Sequence, residues 1–216
     1  MKPVVPLYIH PLADPAAWRS AAACGPPLNV VVNVHNGPGS APDPSYAEAT
    51  RALAEAGVGM LGYVYLSYGT RPLADVLDDV ARWSAYPVTG AFLDCAPADA
   101  YAAGQIRLVV RACRRAGMRT VLLNPGMPAD PVYHGMADGV GTFEGPWTRY
   151  RNWMPGPDWP GACHLVYGVP PDDVDDALLL VRVRGAGWGC VTDLDLPLPW
   201  QGMPRRLDGL VKAHPT

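Results

Sequence analysis

Short runs rich in β-branched and other apolar residues recur along the chain at residues 4–9, 30–34, 60–66, 90–93, 120–123, 140–143, 164–167 and 189–194. Their length and composition predict eight strands. Most of the intervals carry apolar positions at helical spacing. The best of them runs over residues 98–116, where Ile106, Val109, Val110 and Cys113 form one stripe while Arg107, Arg111, Arg114 and Arg115 take other positions. Asp14-Pro15 and Asp43-Pro44 each set a capping carboxylate before a proline suited to the first helical position. Gly57 and Gly117 supply stops. Residues 128–138 and 146–160 break this rhythm: proline, glycine and aromatic residues crowd them, so loops or single turns are expected after the fifth and sixth strands.

Strand and helix in alternation imply right-handed crossovers and a parallel sheet, and eight such units favour closure into a (β/α)8 TIM barrel. An open doubly wound sheet is the alternative. Against it, no GxGxxG or GxxxxGK[ST] segment follows the first strand, so a nucleotide-binding reading lacks its phosphate cradle. At 216 residues the chain suits one such barrel spanning residues 1–216 as a single domain.

Barrel active sites form where strands end and βα loops begin. Read to its carboxyl end, each run finishes in polar side chains: Tyr8 and His10, Asn33 and His35, Tyr63 with Tyr65 and Ser67, Asp94, Asn124, Glu144, Tyr167, and Asp193 with Asp195. The strand starts are mostly apolar, among them Val4, Val30, Met60 and Val140. Asp94 and Glu144 leave strands four and six, and strands two apart in a sheet can bring carboxylates roughly 5–10 Å from each other. Two acids in one cleft push their proton affinities apart, one serving as acid and the other as base or nucleophile. The plainer alternative is that each acid caps a helix.

Apolar residues make up 49% of the chain and charged residues 17%, with a net charge of −3. There is no basic stripe to hold nucleic acid or anionic lipid, which leaves a small molecule or an oligosaccharide as the expected partner. Five widely spaced cysteines fit neither a disulfide framework nor a zinc CxxC pair. With no leader-like or membrane-length apolar run, the chain as it stands reads as cytoplasmic; removal of a leader would make it extracellular. His10, His35 and Asp94 form no HxH or HExxH motif, so hydrogen bonding to substrate is preferred to metal binding and no cofactor is expected. Tyr63, Tyr65, Tyr68, Trp147, Trp153 and Trp159 offer flat faces for sugar rings. Arg71 is expected to pair with a carboxylate or hold loop carbonyls, and residues 36–39 to form a tight turn. Asp172, Asp173, Asp175 and Asp176 read as the negative first turn of a helix.

The run Asn33-Val34-His35-Asn36-Gly37-Pro38-Gly39, the run Gly62-Tyr63-Val64-Tyr65-Leu66-Ser67-Tyr68-Gly69-Thr70-Arg71-Pro72-Leu73, and the shorter Gly90-Ala91-Phe92-Leu93-Asp94, Asn124-Pro125-Gly126 and Thr142-Phe143-Glu144 resemble the spherulin-4-like (spherulation-specific family 4) proteins. The resemblance implies a TIM barrel related to glycoside hydrolases that act on galactosamine or N-acetylgalactosamine polymers. It also implies an Asp-Glu pair ending strand four and a Glu ending strand six. Asp94 and Glu144 match that pattern, whereas Cys95 stands where the second acid is expected. A thiol is no substitute for a carboxyl proton donor. Three readings follow: a glycoside hydrolase in which Asp94 and Glu144 suffice; a sugar-binding pseudoenzyme; and a small-molecule acid–base enzyme of a specialised pathway.

Overall fold

The computed structural model describes residues 1–156, 159–206 and 209. Eight strands, β1 (Lys2–Leu7), β2 (Asn29–Val32), β3 (Gly59–Tyr65), β4 (Gly90–Asp94), β5 (Thr120–Asn124), β6 (Gly139–Pro146), β7 (Ala162–Tyr167) and β8 (Trp188–Val191), close into an all-parallel barrel in sequence order. Lys2 and Pro3 pair with Trp188 and Gly189 to shut the ring. This is the (β/α)8 fold, and the open-sheet alternative is set aside.

Helices α1 (Pro15–Cys24), α2 (Pro44–Glu55), α3 (Leu73–Arg82), α4 (Ala103–Arg115) and α6 (Val174–Val183) cover the barrel, with the single turn α5 (Trp147–Tyr150) after β6. The expected caps hold: Asp14 accepts from the Ala17 amide at 3.0 Å, and Asp43 from the Ser45 and Tyr46 amides at 2.8 and 3.2 Å. Gly57 and Gly117 follow α2 and α4 in left-handed conformations, at φ 76° and 87°, where an L side chain is strained. The expected helix at 98–116 begins later, at Ala103, because residues Ala100–Ala102 form a tighter 3-10 turn capped by Asp99.

Between β5 and β6 there is one 3-10 turn, Pro131–Tyr133, and no full helix. Proline lacks the amide that a helical ladder needs. That flank of the barrel is sealed by rings instead: Phe143 packs edgewise on Tyr150 at 4.7 Å and against Trp153 at 5.1 Å, and the Arg184 guanidinium lies 4.6 Å from the Tyr150 ring centre. Of the aromatic segment 147–159, Trp147, Trp153 and Trp159 are packed into this wall, and residues 157 and 158 lie outside the described residues.

The inward faces of the lower barrel are filled by Val4, Val31, Leu61, Phe92, Leu122 and Leu165, none more than 1% exposed. A plug of this kind leaves only the upper, carboxyl end open to chemistry. Outside, Trp83 is fully buried against Gly62, where a Cβ would come within 2.6 Å of its indole. The indole N–H donates to the Tyr63 carbonyl at 2.9 Å, fixing the end of β3.

Candidate active site

Asp94 ends β4 in register with Tyr65 on β3 and Asn124 on β5. Residues in register on parallel strands project to the same side, so all three face the mouth. The Asn124 amide nitrogen donates to Asp94 Oδ1 at 2.7 Å and to Glu144 Oε2 at 2.6 Å. Two acceptors on one planar NH2 group stand roughly 4.5–5 Å apart. The remaining carboxylate oxygens are also engaged: Tyr63 donates its hydroxyl to Asp94 Oδ2 at 2.8 Å, and Trp200 its indole N–H to Glu144 Oε1 at 2.9 Å.

A β-bulge puts Glu144 in this group. Simple alternation along β6 would set residue 144 on the face opposite Gly141, but the register with β7 shifts between Gly141 and Phe143. Phe143 therefore turns outward into the aromatic wall, and Glu144 turns in. Gly126, at φ 70°, accepts from the Glu144 amide at 3.1 Å and keeps the β5 loop against this carboxylate. The orientation of Asn124 follows from its neighbours, since a reversed amide would aim its carbonyl at two carboxylates. Its own Oδ1 is buried without a hydrogen-bond partner among the described residues and faces Gly141, where a Cβ would stand 2.1 Å away.

Burial, and then the charge of Asp94, raise the proton affinity of Glu144 above the usual carboxylate range, with the bonds from Asn124 and Trp200 opposing in part. Burial and Asp94 likewise hold the Tyr8 and Tyr63 hydroxyls well above the ordinary phenol range. Tyr8 sits edge-on to Tyr63 with ring centres 5.6 Å apart. The Cys95 thiol donates to Asp94 Oδ2 at 3.8 Å, and burial followed by Asp94 pushes it up to about 11. Cys95, Ser67 and Tyr68 all adopt left-handed backbone conformations, at φ 49°, 48° and 53°. Their loops are tied by the Tyr68 amide donating to the Cys95 carbonyl at 2.6 Å and the Leu66 amide to that of Asp94 at 2.9 Å. Three non-glycine residues in this region are a local concentration of backbone strain, held by the surrounding bonds.

Of the residues anticipated from strand ends, Tyr8, Tyr63, Asp94, Cys95, Asn124 and Glu144 come together, with Tyr167 close by through its edge-on contact with Trp200 at 5.9 Å. Tyr65 and Ser67 form the adjoining rim, their hydroxyls 3.4 Å apart. His10 lies elsewhere: β1 ends at Leu7, and the His10 ring packs edgewise on Tyr46 of α2 and accepts from the Leu12 amide at 3.1 Å. Asn33 serves its own loop, accepting from the Gly37 amide at 2.9 Å, and His35 is exposed beside that loop. Asp193 turns away to Arg205, at 2.9 Å. Arg71 both pairs with Asp79 at 2.6 Å and donates to the Tyr65 carbonyl at 2.9 Å. Trp200 was not foreseen; it lies beyond the eighth strand in a proline-rich stretch without periodicity. Among the described residues no three His, Cys, Asp or Glu side chains are grouped to hold a metal ion.

The fold and this centre define a TIM barrel with a paired-carboxylate mouth. The chain belongs to the spherulation-specific family 4, which it matches over residues 2–214. It is 36% identical over 159 residues to Spherulin-4 of Physarum polycephalum, an alignment covering 70% of this chain and 47% of that protein, so it spans about half the length of that relative. Its fold is similar to that of Aspergillus clavatus Sph3, solved in complex with GalNAc, with a TM-score of 0.84 and 26% identity over 98% of this chain and 96% of that one. A GH18 chitinase from Pseudoalteromonas aurantia shares the fold at a TM-score of 0.55 and 12% identity, over 88% of this chain and 93% of that one.

Proposed function

We propose that the protein is a glycoside hydrolase acting on N-acetylgalactosamine or galactosamine glycosides, with Glu144 as the proton donor and Asp94 as the partner carboxylate. The observation that carries this reading is the single Asn124 amide bonded to both acids. It holds the two carboxyl groups at the short separation of about 5 Å used by retaining enzymes, rather than the wider gap that admits a water. Glu144, whose burial favours the protonated form, suits donation to the leaving oxygen. Each of its oxygens retains a second lone-pair site beyond the bonds from Asn124 and Trp200, so the proton has a place from which to leave. Asp94, fixed by Tyr63 and Asn124, meets the oxocarbenium-like carbon as nucleophile and is later freed by water that Glu144 deprotonates. The GalNAc bound to the similar Sph3 supports the sugar class. Cys95 supplies neither acid nor nucleophile in this scheme, because its thiol holds its proton at neutral pH.

The test is to incubate the wild type, Glu144→Gln and Asp94→Asn with galactosamine-containing polymers and follow reducing ends. Release by the wild type, lost by at least about a thousandfold in both variants, is expected. Absence of wild-type release across pH 4–8 on acetylated and deacetylated polymers would overturn the assignment.

A further inference from the structure

Two helices on different flanks of the barrel each present an exposed stripe that is half apolar and half charged. Along α4 the stripe runs Gly104, Leu108, Arg111, Arg115, at steps of four, three and four residues that keep to one face of a helix. Leu108 is 50% exposed, and a Cβ on Gly104 would meet nothing within 4 Å. Along the tight turn Pro171–Asp173 and α6, which follows it directly, the stripe runs Asp172, Asp176, Leu179, Val183 at the same steps. Leu179 and Val183 are 59% and 73% exposed. Neighbouring charges are used within the chain: Arg114 pairs with Asp138 at 2.7 Å, Asp175 with Arg206 at 3.0 Å, and Asp173 accepts from the Trp147 indole at 2.7 Å. Arg111, Arg115, Asp172 and Asp176 form no ion pair among the described residues. The helix dipoles account for the sign of each charged end, but not for the apolar side chains left in water on the same stripes.

We infer that the protein associates with further copies of itself, α4 of one packing antiparallel on α6 of the next. Antiparallel register sets Leu108 against Leu179, Arg111 against Asp176 and Arg115 against Asp172, with Val183 over the bare backbone of Gly104. From Leu108 to Arg115, and from Leu179 back to Asp172, the chain advances by the same seven residues, roughly 10.5 Å of helix, so the pairs stay in step. Parallel packing would instead set Arg111 and Arg115 on Leu179 and Val183, desolvating guanidinium groups without a partner. The α4 flank also has room: α4 packs against α3 on one side, while β5 on the other is followed only by the 3-10 turn Pro131–Tyr133. Because the two stripes differ, the contact is heterologous and each end of an assembly keeps one stripe free, so copies add head to tail. Neighbouring barrels then point their mouths in opposite directions, and the Asp94–Glu144 centre stays uncovered, independent of the association. One pair of short helices buries less than the standard protein–protein interface, so the contact is weak, on the order of 100 µM, and its two ionic pairs make it sensitive to salt.

Sedimentation equilibrium of the full-length wild type, from about 10 µM to about 1 mM, tests this. At about 20 mM salt the average mass is expected to rise with concentration past that of a dimer, and at about 500 mM salt the association constant should fall severalfold. Arg111→Glu with Arg115→Glu in one variant, and Asp172→Arg with Asp176→Arg in another, should each weaken self-association by at least roughly tenfold, since like charges then face each other. Mixed in equal amounts the two variants should regain it, because every α4 then meets an α6 of opposite charge; circular dichroism and thermal melts check that both fold. A wild type that stays a single chain at about 1 mM, variants that associate as the wild type does, or a mixture that stays dissociated would each overturn the inference. A single-chain wild type retained on an anionic matrix through Arg111 and Arg115 would assign α4 to an external polyanion and overturn it as well.

Discussion

Adding one methyl group, Gly141→Ala, is expected to disable the carboxylate pair without touching either acid. The new Cβ would stand 2.1 Å from Asn124 Oδ1, 3.1 Å from its Cγ and 3.2 Å from its Cα. The first contact is far inside van der Waals range and the last involves backbone, so the amide must swing or β5 and β6 must part. Overpacking of this kind costs about 1–3 kcal/mol, and each kcal/mol lowers the melting temperature of a chain this size by roughly 2–4 °C. A displaced amide also gives up a hydrogen bond to a carboxylate, worth about 1.5–3 kcal/mol, which corresponds to roughly ten- to hundredfold in kcat/KM. Thermal melts and reducing-end assays of Gly141→Ala, Asn124→Ala and the double variant make the test. In the Asn124→Ala background the 2.1 and 3.1 Å contacts are gone and only the 3.2 Å contact with Cα remains, so the added cost of Gly141→Ala should be clearly smaller than in the wild type. Equal costs in the two backgrounds would refute the contact with Asn124 as the cause.

Three further outcomes follow from the same centre. Glu144 binds its proton more tightly folded than unfolded, so it contributes stability at low pH that is lost as pH rises from the ordinary glutamate value through the folded one; Glu144→Gln should flatten this dependence in denaturant melts at pH 4–8, and an unaltered profile would count against the raised affinity. Trp200→Phe removes a bond that favours ionised Glu144, so the alkaline limb of hydrolysis should move to higher pH; a move to lower pH would contradict the assignment. Cys95, with its thiol pushed up to about 11, should react with a disulfide reagent at pH 8 much more slowly than an unfolded-state control, and rapid labelling of this residue by mass spectrometry would oppose the scheme.

The barrel was legible because its strands are short apolar runs separated by capped helices, and Asp14, Asp43, Gly57 and Gly117 do what their chemistry predicts. The position of Asp94 was legible too, since it continues the inward alternation of Gly90 and Phe92 to the end of an apolar strand. Strand ends were overrun at β1, β2 and β8, where the alternating pattern continues past the last ladder bond: the Tyr8 amide donates instead to the Trp200 carbonyl at 2.8 Å. That overrun put His10 in the expected site, although the chain has already turned toward α1 and α2. The bulge in β6 is invisible to periodicity, because two-residue alternation from Gly141 would have faced Glu144 outward. Trp200 was unreadable for a different reason: a lone tryptophan among prolines carries no period, and its role arises only when a distant loop crosses the mouth.

That crossing has a consequence for the order in which the protein is made. The Tyr8 amide, made long before residue 200, waits for the carbonyl of that residue, and the acid at residue 144 waits for its indole. A nascent chain halted just after β8 would possess every strand of its barrel while the donor that tempers Glu144 was still inside the ribosome. Competence is thus deferred until the segment after β8 has emerged, because residue 200 ties both β1 and the acid of β6.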